Sequence, residues 1–353
     1  MEKLQAKKVI NGDIKVERIN GYNTFTIPSD RPFKILQLTD LHFSIGLIPR
    51  KANILAQNAI INVVEKSKPD LIIITGDLIF PIPFNNLSIN NMKMAKKVAK
   101  LMETFEIPWS LVYGNHDIEP VSFSSKEALS KFYSSCDNCL FEKGDSKLSG
   151  MGNHIINLLN IKKEIVMPLV MLDSHMYTKN KGFFAYFSGF DNIHQDQIDW
   201  YKQEITKLSK GKSLLPSLSF FHIPPSEFKK AWKLHISELA SDKEQVEYHF
   251  GEIGEVNGYF GVPKHQGTFF EEMVNFGSLK AFFCGHDHLS NASITYKGIR
   301  MTYGMSIDYL AYPHIKKWTS QRGGTEIFID NNGNFKVHHI KLDELMEENT
   351  EKV

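Results

Sequence analysis

Five consecutive residues, Leu71-Ile72-Ile73-Ile74-Thr75, constrain the fold of this chain more than any other feature. Strand side chains point alternately to opposite faces, so an unbroken β-branched run leaves no face for water and belongs to a sheet covered on both sides. Gly76-Asp77 ends the run. Two further β-prone runs flank it, residues 33–39 breaking at Asp40 and residues 109–113 stopping at Gly114-Asn115-His116-Asp117. Between the strands, residues 52–66 space Ile54, Ile61 and Val64 among polar residues ahead of Pro69, and residues 91–105 form a second helical stretch. This alternation predicts right-handed βαβ crossovers and a mainly parallel sheet, with ligands gathered at the carboxyl ends of its strands.

The second half reads differently. Residues 153–159 and 165–172 predict a strand pair, residues 194–208 a helix, and residues 217–221 a strand ending at His222. Residues 281–284 follow, then hairpins of 292–296 with 299–303 around Lys297-Gly298, and of 326–330 with 337–340 across Asn331-Asn332-Gly333-Asn334. The segment 223–279 has no clear period and carries Pro224-Pro225, His249 and His265, which marks a lid-like insertion near a site. Residues 1–32 are read as an N-terminal extension, 33–341 as one domain and 342–353 as a charged, fraying helical tail.

Composition narrows the function classes. Lys plus Arg number 41 against 40 Asp plus Glu, so no general electrostatic attraction to nucleic acid or to a membrane surface is expected. Cys136, Cys139 and Cys284 make an odd set without a disulfide framework, and the Cys136-Asp137-Asn138-Cys139 spacing lacks the second pair that a zinc site would need. No apolar run matches a signal peptide or a membrane span, which together with the cysteines predicts a cytoplasmic protein. The phosphate loop of nucleotide kinases, the dinucleotide fingerprint and the serine-hydrolase elbow are all missing.

What the strand ends do carry is a set of metal-ligand types. Asp40 and His42, Asp77, Asn115 with His116 and Asp117, His222, and His286 with His288 each follow a hydrophobic strand. Carboxylates mixed with imidazoles suit Mn, Fe or Zn rather than Ca or Mg. Alternation along an extended chain is expected to bring Asp40 with His42, and His286 with His288, to one side of the site. No one cluster is specific, but five in this strand-end context are.

In this order, DLH, GD, GNHD, FFHIPP and GHDH resemble the calcineurin-like metallophosphoesterase superfamily over residues 33–340. FFHIPP and Leu172-Asp173-Ser174 look like its purple-acid-phosphatase-like branch of small phosphatases. The resemblance implies an α/β fold, a four-layer α/β/β/α sandwich of two mixed sheets flanked by helices. It also implies two divalent or iron-type metal ions (Mn, Fe or Zn), one held by Asp40, His42, Asp77 and His288 and the other by Asp77, Asn115, His222 and His286. His116 is then a non-ligand beside the metals, with Asp117 expected to orient its ring. Phe80 stands where true purple acid phosphatases have tyrosine, so neither the purple colour nor a ferric site is expected.

The implied reaction is hydrolysis of a phosphomonoester, carried by a small molecule or a phosphoprotein, by in-line attack of a metal-held hydroxide with His116 assisting the leaving group. A phosphodiesterase, acting on cyclic nucleotides for example, and a non-catalytic metal-stabilised scaffold are the alternatives. His175, two residues beyond Asp173, is expected to face substrate, and the aromatic stretch 183–190 to pack in the core or cover a sheet. No protein partner is assigned.

Overall fold

A computed structural model describes residues 14–46, 49–81, 89–178, 188–237, 245–312, 315 and 322–345. The apolar run becomes strand β4 (Leu71–Thr75), buried at every position. It lies parallel to β3 (Phe33–Leu38) on one side and β5 (Trp109–Val112) on the other. Helices α1 (Pro49–Ser67) and α2 (Asn91–Thr104) make the two crossovers. The hairpin β13 (Gly323–Ile329) and β14 (Phe335–Lys341) completes a five-stranded sheet in the order β14-β13-β3-β4-β5, with β13 antiparallel to β3.

The second sheet has nine strands. Its members are β1 (Glu17–Ile19), β2 (Tyr22–Thr26), β6 (His154–Leu159), β7 (Ile165–Met171), β8 (Ser217–Phe220), β9 (Val246–Phe250), β10 (Leu279–Cys284), β11 (Ser293–Tyr296) and β12 (Ile299–Tyr303). They are ordered β1-β2-β6-β7-β8-β10-β12-β11-β9, and β7, β8, β10 and β12 run parallel as neighbours.

Strand alternation divides the apolar residues among three cores. Leu71 and Ile73 of β4, with Phe33 and Ile35 of β3, meet Leu169, Leu218, Phe220 and Phe283 between the two sheets. Ile72 and Ile74 face the other way, against α1, α2 and α3 (Lys126–Tyr133). On the outer face of the larger sheet, Val170, Phe282 and Met301 pack against α4 (Gln195–Ser209), α5 (Ser226–Ile236) and α6 (Phe269–Phe276). The result is the expected α/β/β/α sandwich of two mixed sheets.

Several local expectations are corrected. The buried stripe of α1 is largely Ala52, Ala56 and Ala59 with Ile60, Val63 and Val64, while Ile54 is exposed, because small alanines let the helix lie close to the sheet. The segment 223–279 holds α5, β9 and α6. Phe228, Ala231, Phe269, Phe270 and Met273 are buried core residues, and helices of 11 and 8 residues are too short to display a repeating period. Ahead of residue 33, β1 and β2 join the larger sheet through β6, turning at Asn20-Gly21 with φ of 51° and 87°, a hairpin signal that the polar composition of these strands obscures. Leu342 and Leu345 pack into the core beside α1, so the described start of the tail is anchored.

Ile73 lies at the centre of the inter-sheet core. Ile73→Ala is expected to cost about 2–5 kcal/mol in urea unfolding, because neighbours fixed in two sheets cannot collapse into the space.

Candidate metal centre

Asp40 and His42 follow β3, Asp77 follows β4, Asn115 and His116 follow β5, His222 follows β8, and His286 and His288 follow β10, so both sheets deliver side chains to one place. Buried Gln37 stitches the junction, donating from Nε2 to Thr75 Oγ1 at 2.8 Å and to the Cys284 carbonyl at 3.0 Å. Extended alternation is not what aims the ligand types, contrary to expectation. Asp40, His42, Asp77 and His286 adopt φ of 52°, 48°, 51° and 82°, so β3, β4 and β10 lead into left-handed backbone at the ligand types themselves, where strand alternation has already ended. Gly114 must be glycine, since a Cβ there would lie 2.1 Å from Asp77 Oδ1.

The pairing around Asp77 is tight. Its Oδ2 lies 3.3 Å from His42 Nε2 and 3.2 Å from His222 Nε2, while its Oδ1 accepts the His116 backbone N–H at 2.8 Å. His222 donates from Nδ1 to the Thr75 carbonyl at 2.8 Å, which turns Nε2 toward the centre. That nitrogen is 3.1 Å from Asn115 Oδ1 and 3.3 Å from His286 Nδ1. On the other side of Asp77, His288 Nε2 is 3.4 Å from Asp40 Oδ1.

Asp308 was not anticipated. It follows β12 and places Oδ1 3.1 Å from His42 Nδ1 and Oδ2 3.1 Å from His288 Nδ1, turning both Nε2 atoms toward the carboxylates of Asp40 and Asp77. The only sequence signal was an aspartate beyond the end of another strand. Asp40, Asp77, His42, His222 and Asp308 are all essentially buried.

Electrostatics show what the pocket asks for. Burial opposes charge on His42 and His222, yet Asp308 beside the first and Asp77 beside the second lift both to about 9. Burial likewise works against ionising Asp77, but the positive charge of His222 holds it well below the ordinary carboxylate range. His286 is driven well below the usual histidine range by burial and then by His222. Inward-facing oxygens and imidazole lone pairs therefore converge where, without protons on the rings, they would repel. That is the fit expected for bound cations. Two groups at this junction are spaced to hold an ion, Asp40–His42–Asp77–His288 and Asp77–His222–His286, and they share Asp77.

His116 belongs to neither group, with Nε2 4.0 Å from Asp77 Oδ2. Its ring is not oriented by Asp117. Asp117 instead accepts backbone N–H groups of Asp77, Ile79 and Gly114, and burial next to Asp77 raises it to about 7. Glu119 is the ring's partner, with Oε1 2.5 Å from Nδ1. Its sequence signal was its place three residues after His116. Phe80 packs against the rings of His42 and His116, at 4.9 and 4.6 Å between centroids. His175 lies apart from both groups, in a third cluster with Asp191 and His194. Of the aromatic stretch, residues 183–187 lie outside the described residues, and Phe190 meets His286 edge-on at 4.3 Å.

Residues 33–290 match the family model for the calcineurin-like phosphoesterases. The chain belongs to the calcineurin-like phosphoesterase family. Among curated relatives, it is 26% identical to "Probable inactive purple acid phosphatase 29" of Arabidopsis thaliana, over 79% of this chain and 73% of that one. It is 29% identical to "Phosphatase DCR2" of Saccharomyces cerevisiae, over 73% of this chain and 44% of that one. The fold is shared with a dimetal phosphatase from Danio rerio, at TM-score 0.51 and 11% identity over 89% of this chain and 97% of that one. Calcineurin-like family membership implies a dinuclear metal centre. No described helix is long and apolar enough to cross a membrane.

Two predictions test this geometry. Asp308→Asn is expected to weaken metal binding by ~10–100-fold, measured by manganese titration of the metal-stripped protein, because both imidazoles lose the charge that orients them. Since His42 and His222 hold protons up to about 9 in the metal-free pocket, loading at pH 7 must release protons and affinity must rise toward pH 9. Calorimetry in buffers of different ionisation enthalpy reads this directly, and a heat independent of buffer would contradict it.

Proposed function

We propose that this chain is a dinuclear metal-dependent phosphoesterase that hydrolyses phosphomonoesters. The observation that carries the reading is the pair of ligand groups sharing Asp77, with a histidine beside them that neither group uses. Asp40, His42, Asp77 and His288 would hold one ion, and Asp77, Asn115, His222 and His286 the other. When bound, two divalent cations neutralise phosphate oxygens and acidify water. Manganese, ferrous iron or zinc suits this donor set, and Phe80 offers no phenolate to favour ferric iron.

The remaining chemistry belongs to the chain. The His116 side chain is 22% exposed where Asp77 is fully buried, so its ring is within reach of a substrate. Glu119 accepts the Nδ1 proton and keeps Nε2 aimed at the centre. From there His116 donates its Nε2 proton to the leaving oxygen. Asp117 holds the backbone of Gly114, Asp77 and Ile79 together, a positioning role that fixes Asp77 against the strand ends.

The substrate class that fits is a phosphorylated small molecule or phosphoprotein, and the yeast relative's name supports a phosphatase. The three unpaired thiols fit a cytoplasmic setting. The names of the Arabidopsis relatives favour a non-catalytic reading instead, against which His116 and the full ligand set stand in this chain.

The test compares nitrophenyl phosphate with bis-nitrophenyl phosphate on the manganese-loaded protein. A monoester preference is expected. His116→Ala should keep its metal and lose ~10²–10⁴-fold in kcat, with Glu119→Gln falling in the same direction by less. A diester preference would move the assignment to a phosphodiesterase. Absence of turnover with full metal content would favour the scaffold.

A further inference from the structure

Charge is near balance over the whole chain but not over its layers. Helices α1 and α2, both on the outer face of the smaller sheet, carry seven basic residues against two acidic ones, Glu65 and Glu103. Glu103 is engaged inside the fold, accepting from Trp109 Nε1 and from Asn138 Nδ2, both at 2.8 Å. All seven basic residues are exposed. Among the described residues, Arg50, Lys51, Lys93, Lys96, Lys97 and Lys100 meet no carboxylate. The four lysines of α2 share one face over about 10 Å of helix, where like charges repel. Arg50, Lys51 and Lys93 stand in first turns that hold no acid, where the helix macrodipole disfavours a cation. The two helices therefore carry this charge at a cost to their own stability.

Apolar side chains stand with the cations. Ile54 and Leu55, 42% and 40% exposed, follow Arg50 and Lys51 by one turn on the same face of α1. Phe123, 77% exposed, is held in place, its N–H donating to the Ile89 carbonyl at 2.9 Å. The adjacent Ser124 exchanges two hydrogen bonds with the side chain of Asn91, at the start of α2. These groups lie at the edge of the smaller sheet that carries the metal centre, since α1 follows the ligand types after β3 and α2 those after β4. Scattered exposed apolar residues are ordinary, but aliphatic and aromatic side chains among unpaired cations suit one kind of surface. Cations meet lipid phosphates while the apolar tips enter the headgroup boundary. A nucleic-acid backbone would use the cations and leave Ile54 and Leu55 without a partner.

We propose that the outer face of α1 and α2, with Phe123 at its margin, docks on an anionic lipid bilayer and sets the metal centre beside the lipid surface. The attachment is peripheral, and it rests on exposed side chains of helices whose apolar faces stay in the core.

The test is co-sedimentation of the full chain with vesicles of phosphatidylcholine alone or mixed with phosphatidylserine. Binding is expected only to the mixed vesicles, with release at ~1 M salt, where charges are screened beyond ~3 Å. Each Lys→Gln change at Lys93, Lys96, Lys97 or Lys100 is expected to weaken binding ~5-fold. The double variant Ile54→Ser, Leu55→Ser should weaken it and leave the salt dependence intact. Equal sedimentation with both vesicle types, or full binding by the variant with all four lysines replaced, would overturn the proposal. Binding to a poly-glutamate peptide without binding to vesicles would overturn it in favour of an acidic protein segment. The Lys→Gln proteins should melt at or above the wild-type Tm, because repulsion is relieved, so lost binding is not a lost fold. Sedimentation needs no turnover, which separates its outcome from that of the phosphoesterase reading.

Discussion

Carboxylates do not remain ionised in a protein interior without compensating positive charge, and the junction of the two sheets buries Asp40, Asp77 and Asp308 together. In the metal-free pocket, protons on His42, His222 and His288 supply that charge, and bound cations do so in their place. The surrounding fold holds those oxygens and nitrogens at separations that only a cation makes favourable. The four left-handed non-glycine bends at Asp40, His42, Asp77 and His286 each cost about 1–3 kcal/mol, and the packed strands behind them supply the constraint.

That constraint begins with the β-branched run. Buried on both faces, β4 locks the smaller sheet between α1 and α2 on one side and the larger sheet on the other. The Thr75 carbonyl at its end then orients His222, which comes from the opposite sheet. Gln37 ties β3, β4 and β10 at the same level. Inter-sheet packing and ligand orientation are thus the same set of contacts, which is why the site sits where the two sheets meet rather than on either alone.

The layers and the crossovers were legible because β4, β3 and β5 advertise burial in their composition and end in polar residues. α5, α6 and β9 were not, since short elements with two or three apolar anchors carry no readable period. β1 and β2 hid behind polar composition, although Asn20-Gly21 marks their turn. At the site, strand-end position picked out residue types that the fold brings to one place, but the residues that orient them lay outside the motifs. Asp308 and Glu119 act through the outer ring nitrogens of histidines, and nothing in a linear sequence states which oxygen will lie behind a ring. Asp117 shows the converse, since adjacency to His116 suggested a partner and the fold spent both of its oxygens on backbone N–H groups.

The shared carboxylate of Asp77 is the claim on which the rest turns. Anomalous diffraction from crystals of the manganese-loaded protein tests it most directly. Two peaks ~3.5–4 Å apart, one on each side of Asp77 with His116 contacting neither, are the expected result. A single peak, or two that do not share Asp77, would contradict it.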